Sequence, residues 1–519
     1  MSAADHTMKS GMDYTDDTEK IPNQGYIETE DREEEQEYQR EGHGKLKLDG
    51  DGLPLIPQPT DSPSDPLNWP RKLKYFIVFQ AAVTAFFGTF SLATANPAFA
   101  QIALALHIPI PDASYIGTSS IATAGVFCLV WVPLSNVYGR RPVLLVAQAI
   151  AVAAGCGSAV AKSFGTIIIG RSFVGVGVAA GNVLTVNLIS DIFCLHERGT
   201  FVGIATVALI NGPHVASLPG GYLAQYVGWR WTLWLPSICA GIVWVMLFFC
   251  LPETLYVRGT EQGYPEVANP IRNRMKPWGI RHPGRKLKAV QFIYPLKMLK
   301  YFPIVLQAWF TAVVFTLGSV MPALTGSALF KTFYGWKSAR TGLALSLSTT
   351  IGGVLGEIIA GPVTDRLIAR SRKKTGKLHH EQRLLATIPG AILLPLGLLV
   401  YGFCIRYNEA KDSYIGACIA MALTCFSVQV IISPCLSYAI DCYKPQAGEV
   451  VLLFALARQL MSFTVGFWVI RFGEDVGFQY SGLTYALVTI LFFIPVLATI
   501  KYGEAWRQRL GTPTFNKGI

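Results

Sequence analysis

Charge is scarce in this sequence. Asp, Glu, Lys and Arg make up 15% of its 519 residues against 51% hydrophobic residues, and the mean hydropathy is +0.38. A chain of this length needs far more charge to cover a water-exposed surface, which excludes a soluble globular protein. Paired cysteines are also missing. The ten cysteines (128, 156, 194, 239, 250, 404, 418, 425, 435 and 442) form no Cys-x-x-Cys pair and no zinc spacing, and fall within or at the ends of apolar stretches. Neither a disulfide framework nor a metal site is expected. No Gly-x-x-x-x-Gly-Lys-Ser/Thr segment occurs, which excludes ATP as the driving force by that route. The first 70 residues contain no apolar core of a cleaved signal peptide. The one His/Glu cluster, His379-His380-Glu381, lies in a basic loop and reads as solvated, so no enzyme activity and no cofactor are expected.

What the sequence does contain is long apolar blocks, each about as long as a helix needs to cross roughly 30 Å of hydrocarbon. They read at residues 75–96, 115–136, 142–161, 166–190, 201–225 and 231–251, then 303–325, 342–364, 384–405, 413–440, 450–471 and 481–502. The spacing predicts an all-α membrane protein of twelve transmembrane helices in two six-helix bundles. Residues 1–70 carry 17 acidic and 6 basic side chains, and form an acidic tail expected to be disordered. The bundles are expected at 71–251 and 303–502, with a basic linker at 252–302 and a short tail at 503–519. Loops after even-numbered spans are rich in Arg and Lys, including Arg140, Arg141, Arg198 and the run from Arg366 to Arg383. Loops after odd-numbered spans are sparse, so both termini are expected in the cytoplasm. The basic residues belong to these loops, and no nucleic-acid partner is implied.

The two bundles repeat. Val132-Pro133-Leu134-Ser135-Asn136-Val137-Tyr138-Gly139-Arg140-Arg141 at the end of span 2 aligns with Gly361-Pro362-Val363-Thr364-Asp365-Arg366-Leu367-Ile368-Ala369-Arg370 at the end of span 8. Spans 4 and 10 both end on an aspartate, in Ser190-Asp191-Ile192-Phe193 and Ile440-Asp441-Cys442-Tyr443. Parallel six-span repeats hold substrate between halves near the bilayer midplane. With Asn136-x-x-Gly139-Arg140-Arg141 in the loop after span 2, the sequence resembles the major facilitator superfamily from about Asp65 to Arg509. The segments Asp65-Pro66-Leu67-Asn68-Trp69-Pro70, His196-Glu197-Arg198-Gly199, Gly228-Trp229-Arg230-Trp231 and Leu251-Pro252-Glu253-Thr254 are similar to fungal twelve-span drug:proton antiporters. The stretch from Ile440 to Phe463 is similar to a branch that includes polyamine and histidinol permeases. Two departures stand out. The loop aspartate is Asn136 in the first half, and the span 5 antiporter motif reads Gly212-Pro213-His214-Val215-Ala216-Ser217-Leu218-Pro219-Gly220-Gly221, with Ala216-Ser217 in place of the central Gly-Pro.

A charge within a span is costly in lipid and needs a partner or an aqueous cavity. Three residues qualify as candidates for proton coupling: Arg171, Glu357 and Arg458. Arg171, which resembles an arginine linked to coupling in this family, either faces the interior or snorkels to the interface. Glu357 and Arg458 lie at similar depth. If they pair, Glu357 stays ionised and structural; if they do not, burial favours its neutral form and suits a proton carrier. His214 reads as a satisfied polar contact. The family resemblance implies a cavity lined by spans 1, 4, 7 and 10, here with Thr84, Phe87, Thr89, Thr94, Asn182, Asn187, Gln307, Trp309, Thr311, Gln429 and Ser433. That uncharged, aromatic set suits a moderately apolar or weakly cationic organic molecule. Gating is expected at Asn136, Gly139, Arg140, Arg141, Asp191, Asp365, Arg370 and Asp441. Arg140 or Arg141 would pair with Asp191, and Arg370 with Asp441, holding the cytoplasmic gate shut. The expected protein is a monomeric, multi-pass, proton-coupled secondary transporter of the cell membrane, exporting a drug-like or secondary metabolite. The alternative is proton symport of a polyamine-like cation.

Overall fold

The computed structural model describes residues 47, 55, 57–256, 287–375, 380–407, 409, 412–443, 446–511 and 513; the side chains at 195, 196, 365, 368, 369 and 371–375 fall outside that description. The chain divides after Gln58, and the unit Pro59–Ile519 holds the helical body. Among the described residues there are no strands, and twelve helices are long and apolar enough to cross a bilayer. They are Arg71–Leu106, Ile110–Tyr138, Arg140–Val160, Phe164–Ile192, Glu197–Tyr226, Trp231–Cys250, Phe302–Tyr334, Ser338–Thr364, His380–Arg406, Ser413–Cys442, Ala447–Val476 and Phe478–Leu510, numbered spans 1 to 12. Large apolar side chains stand exposed along them, such as Ile169, Ile242, Phe249, Ile358, Ile392 and Leu491. An exposed apolar girdle of this extent is a surface for hydrocarbon.

The spans keep the order expected from the apolar blocks, but two are longer and interrupted. Span 1 breaks at Asn96-Pro97, because Pro97 has no N–H for the carbonyl one turn back. A 3₁₀ turn at Asn96–Ala98 joins Arg71–Ala93 to Phe99–Leu106. Span 7 contains a π-helical turn at Thr316–Val320, a local widening that often marks functional positions in helices.

The stretch before span 1 corrects the expectation of a disordered tail reaching residue 70. Asp65 is fully buried and accepts from Thr60 N (3.0 Å), Thr60 Oγ1 (3.1 Å) and Leu67 N (3.0 Å). Asn68 Nδ2 donates to Ser62 O (2.9 Å), Trp69 is buried, and Thr60 Oγ1 meets the Tyr256 hydroxyl at 3.2 Å. The acidic run at residues 1–46 lies outside the described residues, as do the linker residues 257–286.

The halves touch along span 5 against span 8 and span 2 against span 11. These contacts gather at the middle of the spans and at the end away from the start of span 1. Gly221 and Gly342 cross backbone to backbone, so that a Cβ added to either would lie 2.9 Å from the other's Cα. Gln225 Oε1 accepts from Ala339 N (3.1 Å), Tyr115 stacks on Phe467 with centroids 5.0 Å apart, and Asp112 pairs with Arg471 (3.1 Å). The Gly221–Gly342 crossing therefore holds the far end together. Gly342→Val should lower the stability of the purified protein by roughly 1–3 kcal/mol through overpacking. Denaturation in detergent checks this, and a wild-type transition would show that the crossing yields freely.

Candidate translocation site

Three deep charges stand within the spans, and no described carboxylate pairs with either arginine among them. Arg171 in span 4 does not snorkel. Its side chain is 2% exposed and points into the first half, where Nη1 donates to Ser91 O (2.9 Å) and Nη2 to Leu92 O (3.1 Å) and Ser120 Oγ (3.3 Å). Its Nε donates to Ile116 O at 3.4 Å. The break in span 1 leaves the carbonyls of Ser91 and Leu92 short of helical donors, and the guanidinium supplies them. Arg171 thus ties spans 1, 2 and 4, beside a narrow cavity whose lining includes Ser91, Gln148, Ser158 and Ser237.

The other two charges lie in the second half, and they do not meet. Arg458 in span 11 lies over the Phe315 ring (4.8 Å to the centroid), within electrostatic reach of Cys128 in span 2. Its Nε is buried and unpartnered, and no described side chain or carbonyl accepts from its guanidinium. One turn on, Ser462 Oγ meets Thr316 Oγ1 at 3.2 Å, on the π-turn of span 7. Glu357 in span 8 is half-buried and forms no ion pair with a described residue. Its neighbour Gly356 is packed against Gln429 of span 10. On the same face of span 8, Gly353 lies against the ring of His214, which reaches over from span 5 and meets Ser319 Oγ of span 7 at 3.3 Å through Nε2. Nδ1 of His214 is buried without a partner, so its polar demand is half met.

The expected cavity residues divide into groups. Thr84, Thr89, Thr94 and Thr311 turn their hydroxyls onto carbonyls and are buried among helices. Phe87 and Asn182 stand between spans 1 and 4, with Asn182 Oδ1 unpartnered near Gly88. Gln307 is fully buried with both amide atoms unpartnered, and Gln429 is buried. Asn187 and Ser433 are half-buried, and Trp309 is 48% exposed. Sequence inspection had missed Gln80, which occupies the same situation in span 1 as Gln307 in span 7. Its signal was legible: Gln80-Ala81-x-x-Thr84-Ala85 repeats as Gln307-Ala308-x-x-Thr311-Ala312, each threonine bonded to the glutamine's carbonyl.

The loop residues form a knot in each half. In the first, Arg140 Nε pairs with Asp191 Oδ2 (3.2 Å), while its Nη1 donates to Ser135 Oγ (2.9 Å) and to Asn136 Oδ1. Arg141 is fully buried and donates to Phe248 O instead of reaching Asp191. The carboxylate at the start of span 3 comes from Glu253, just past span 6, which accepts from Arg140 N (2.8 Å), Arg141 N (3.1 Å) and Leu255 N (2.9 Å). Burial pushes the Glu253 carboxyl above the usual carboxylate range, although those N–H donors and Arg140 pull it down. Gly139, at φ 103°, clears the space that Glu253 occupies.

In the second half the expected Arg370–Asp441 pair is not formed. Asp441 pairs with Arg383 Nε (2.7 Å), with His380 Nδ1 at 3.9 Å, while Arg370 is exposed on the extension of span 8. The longer loop here shifts the equivalent of Arg140 to Arg383, at the start of span 9. Glu381 is not solvated either: it is buried and pairs with Arg507 of span 12 (2.6 Å). The side chain of Asp365 and residue His379 lie outside the described set. Both bridges to aspartate run within one half, so they bind spans of a bundle to each other instead of clasping the two bundles. Glu253→Gln should cost about 1–3 kcal/mol of stability, since an amide turns N–H toward N–H at one of three bonds. Chemical denaturation of the detergent-solubilised protein measures it, and an unchanged midpoint would remove Glu253 from this role.

The family model described as Major Facilitator Superfamily matches residues 81–441. The transporter paaT of Penicillium rubens is 26% identical over 442 residues, covering 82% of this chain and 78% of the relative. The efflux pump radE of Floropilus chiversii is 26% identical over 459 residues, covering 86% and 84%. Among solved structures, a D-xylose-proton symporter superposes with a TM-score of 0.59 at 17% identity, over 80% of this chain and 97% of the symporter, a likeness of fold. With twelve spans in two repeated bundles and a family model matching most of its length, the chain belongs to the major facilitator superfamily and is a secondary transporter of small molecules.

Proposed function

We propose that this protein uses a proton gradient to export a small organic molecule across the cell membrane, with Glu357 as the proton carrier. The observation that carries the reading is the isolation of Glu357: a deep, half-buried carboxyl with no cation beside it among the described residues. A carboxyl in that setting gains from binding a proton and loses it where water reaches the site. The face of span 8 that carries it also touches His214 of the first half through Gly353. Protonation there acts on the surface where the halves meet.

The Arg- and Lys-rich loops favour a cytoplasmic setting for the termini-bearing end, from which the molecule to be exported enters. Rocking about the middle contacts then exposes the site to the other side. Each loop knot keeps its own bundle rigid while this happens, with Arg140–Asp191 in one half and Arg383–Asp441 in the other. Export agrees with the similarity to the efflux pump radE. The protein works as a monomer, since both halves of the path lie in one chain.

Proteoliposome flux tests the assignment. In Glu357→Gln, transport driven by an imposed pH gradient should fall at least about tenfold, the size of a lost 1.4 kcal/mol coupling term, while exchange of internal for external solute persists. Gradient-driven flux equal to wild type would remove Glu357 from coupling.

A further inference from the structure

The chemistry of the transported molecule follows from Arg458, resting on the reading of this chain as a carrier whose path runs between its halves. Arg458 projects from span 11 where that helix crosses span 2. The next residue, Gln459, lies against Gly125 of span 2, and Arg458 itself is within electrostatic reach of Cys128 there. On its other side is Phe315, at the foot of the π-turn in span 7. The guanidinium therefore sits between the two halves, with an aromatic ring on one side.

Its donors are idle. Arg171 satisfies a similar charge with three carbonyls and a hydroxyl, but Arg458 has no hydrogen-bond acceptor among the described residues and no carboxylate to offset it. Glu357, the one deep acid in the spans, is not paired with it. A cation inside a membrane protein with no carboxylate or hydrogen-bond acceptor beside it is costly to hold. Of the three deep charges, two are positive and one can be neutralised by a proton. An organic cation entering this space meets repulsion, and a neutral molecule leaves the guanidinium unsatisfied. An anion answers both, since a planar carboxylate takes two parallel N–H donors from an arginine.

We propose that the transported molecule is an organic monoanion, an apolar or aromatic body bearing a carboxylate, whose acidic group docks on Arg458 while its body lies along Phe315. This opposes the cationic cargo that the uncharged lining alone would favour.

Binding to the purified full-length protein in detergent tests this without any gradient, so it stands apart from the role of Glu357. The probes are naphthoate, the neutral naphthamide and the naphthylmethylammonium cation, followed by tryptophan fluorescence. Naphthoate should bind wild type about tenfold more tightly than naphthamide, equivalent to 1.4 kcal/mol, and the cation should bind weakest. Arg458→Gln should erase that preference while leaving naphthamide affinity unchanged, which also reports that the variant is folded. Arg458→Lys should keep part of it, and Glu357→Gln should keep all of it. The proposal is overturned if the cation binds most tightly, if Arg458→Gln binds naphthoate as wild type does, or if naphthoate does not bind at millimolar concentration. Stabilisation by chloride alone, with no further gain from naphthoate, would also overturn it, leaving a site for a simple inorganic ion. Gradient-driven flux at the wild-type level in Glu357→Gln, with the naphthoate preference intact, would count against the proton assignment alone.

Discussion

The bond between Arg171 and the broken end of span 1 shows the constraint under which the whole molecule is built. In hydrocarbon no water completes an unmade hydrogen bond, so a helix can break only where another group takes up its carbonyls. Asn96-Pro97 breaks span 1, the guanidinium of span 4 takes Ser91 and Leu92, and span 2 is drawn in through Ile116 and Ser120. One side chain thereby fixes the relative placement of three helices in the first half. Among the described residues, the spans of the second half hold no deep arginine filled in this way. Its deep guanidinium, Arg458, rests on a ring and stays open, and its span 7 is widened by a π-turn where span 1 is broken by proline.

That contrast divides the duplicated bundles by task. The first half holds its deep arginine and the start of span 3 through the Arg171 bonds, the Glu253 cap and the Arg140–Asp191 bridge. The second half carries the two deep charges whose demands are unmet, Glu357 and Arg458, while Gln80 and Gln307 leave an unmet amide in each half. His214 joins them across the boundary with one nitrogen bonded and one idle. Unmet polar groups in a dry interior favour any state or ligand that completes them.

The twelve spans, their order and the six-and-six division were legible because hydrocarbon imposes a block length that few sequences satisfy by accident. The ends of the spans were less legible, since Pro59–Pro70 and the stretch after Cys250 fold by side-chain bonds that no hydropathy pattern records. Glu253 belongs to that second class. Its partners lie more than a hundred residues away, at Arg140 and Arg141, and only the folded chain brings them together. The Arg370–Asp441 expectation failed because aligned loops of unequal length do not put aligned residues in one place; Arg383 stands there instead. Arg171, Glu357 and Arg458 were visible as charges in apolar blocks, but their partners, or lack of them, depend on which face each helix turns inward. The glutamines of spans 1 and 7 were visible too, as a six-residue repeat hidden among longer apolar matches.

The loop knots of the two halves share a plan but reverse its polarity. The start of span 3 offers the amides of Arg140 and Arg141 and receives a carboxylate from the segment after span 6, whereas the start of span 9 offers the carboxylate of Glu381 and receives the guanidinium of Arg507. A polypeptide whose halves descend from one ancestor risks docking a helix into the wrong bundle while it is being inserted. Opposite signs at equivalent joints make such a swap set acid against acid in one place and leave base without acid in the other, so each bundle recognises its own last helix.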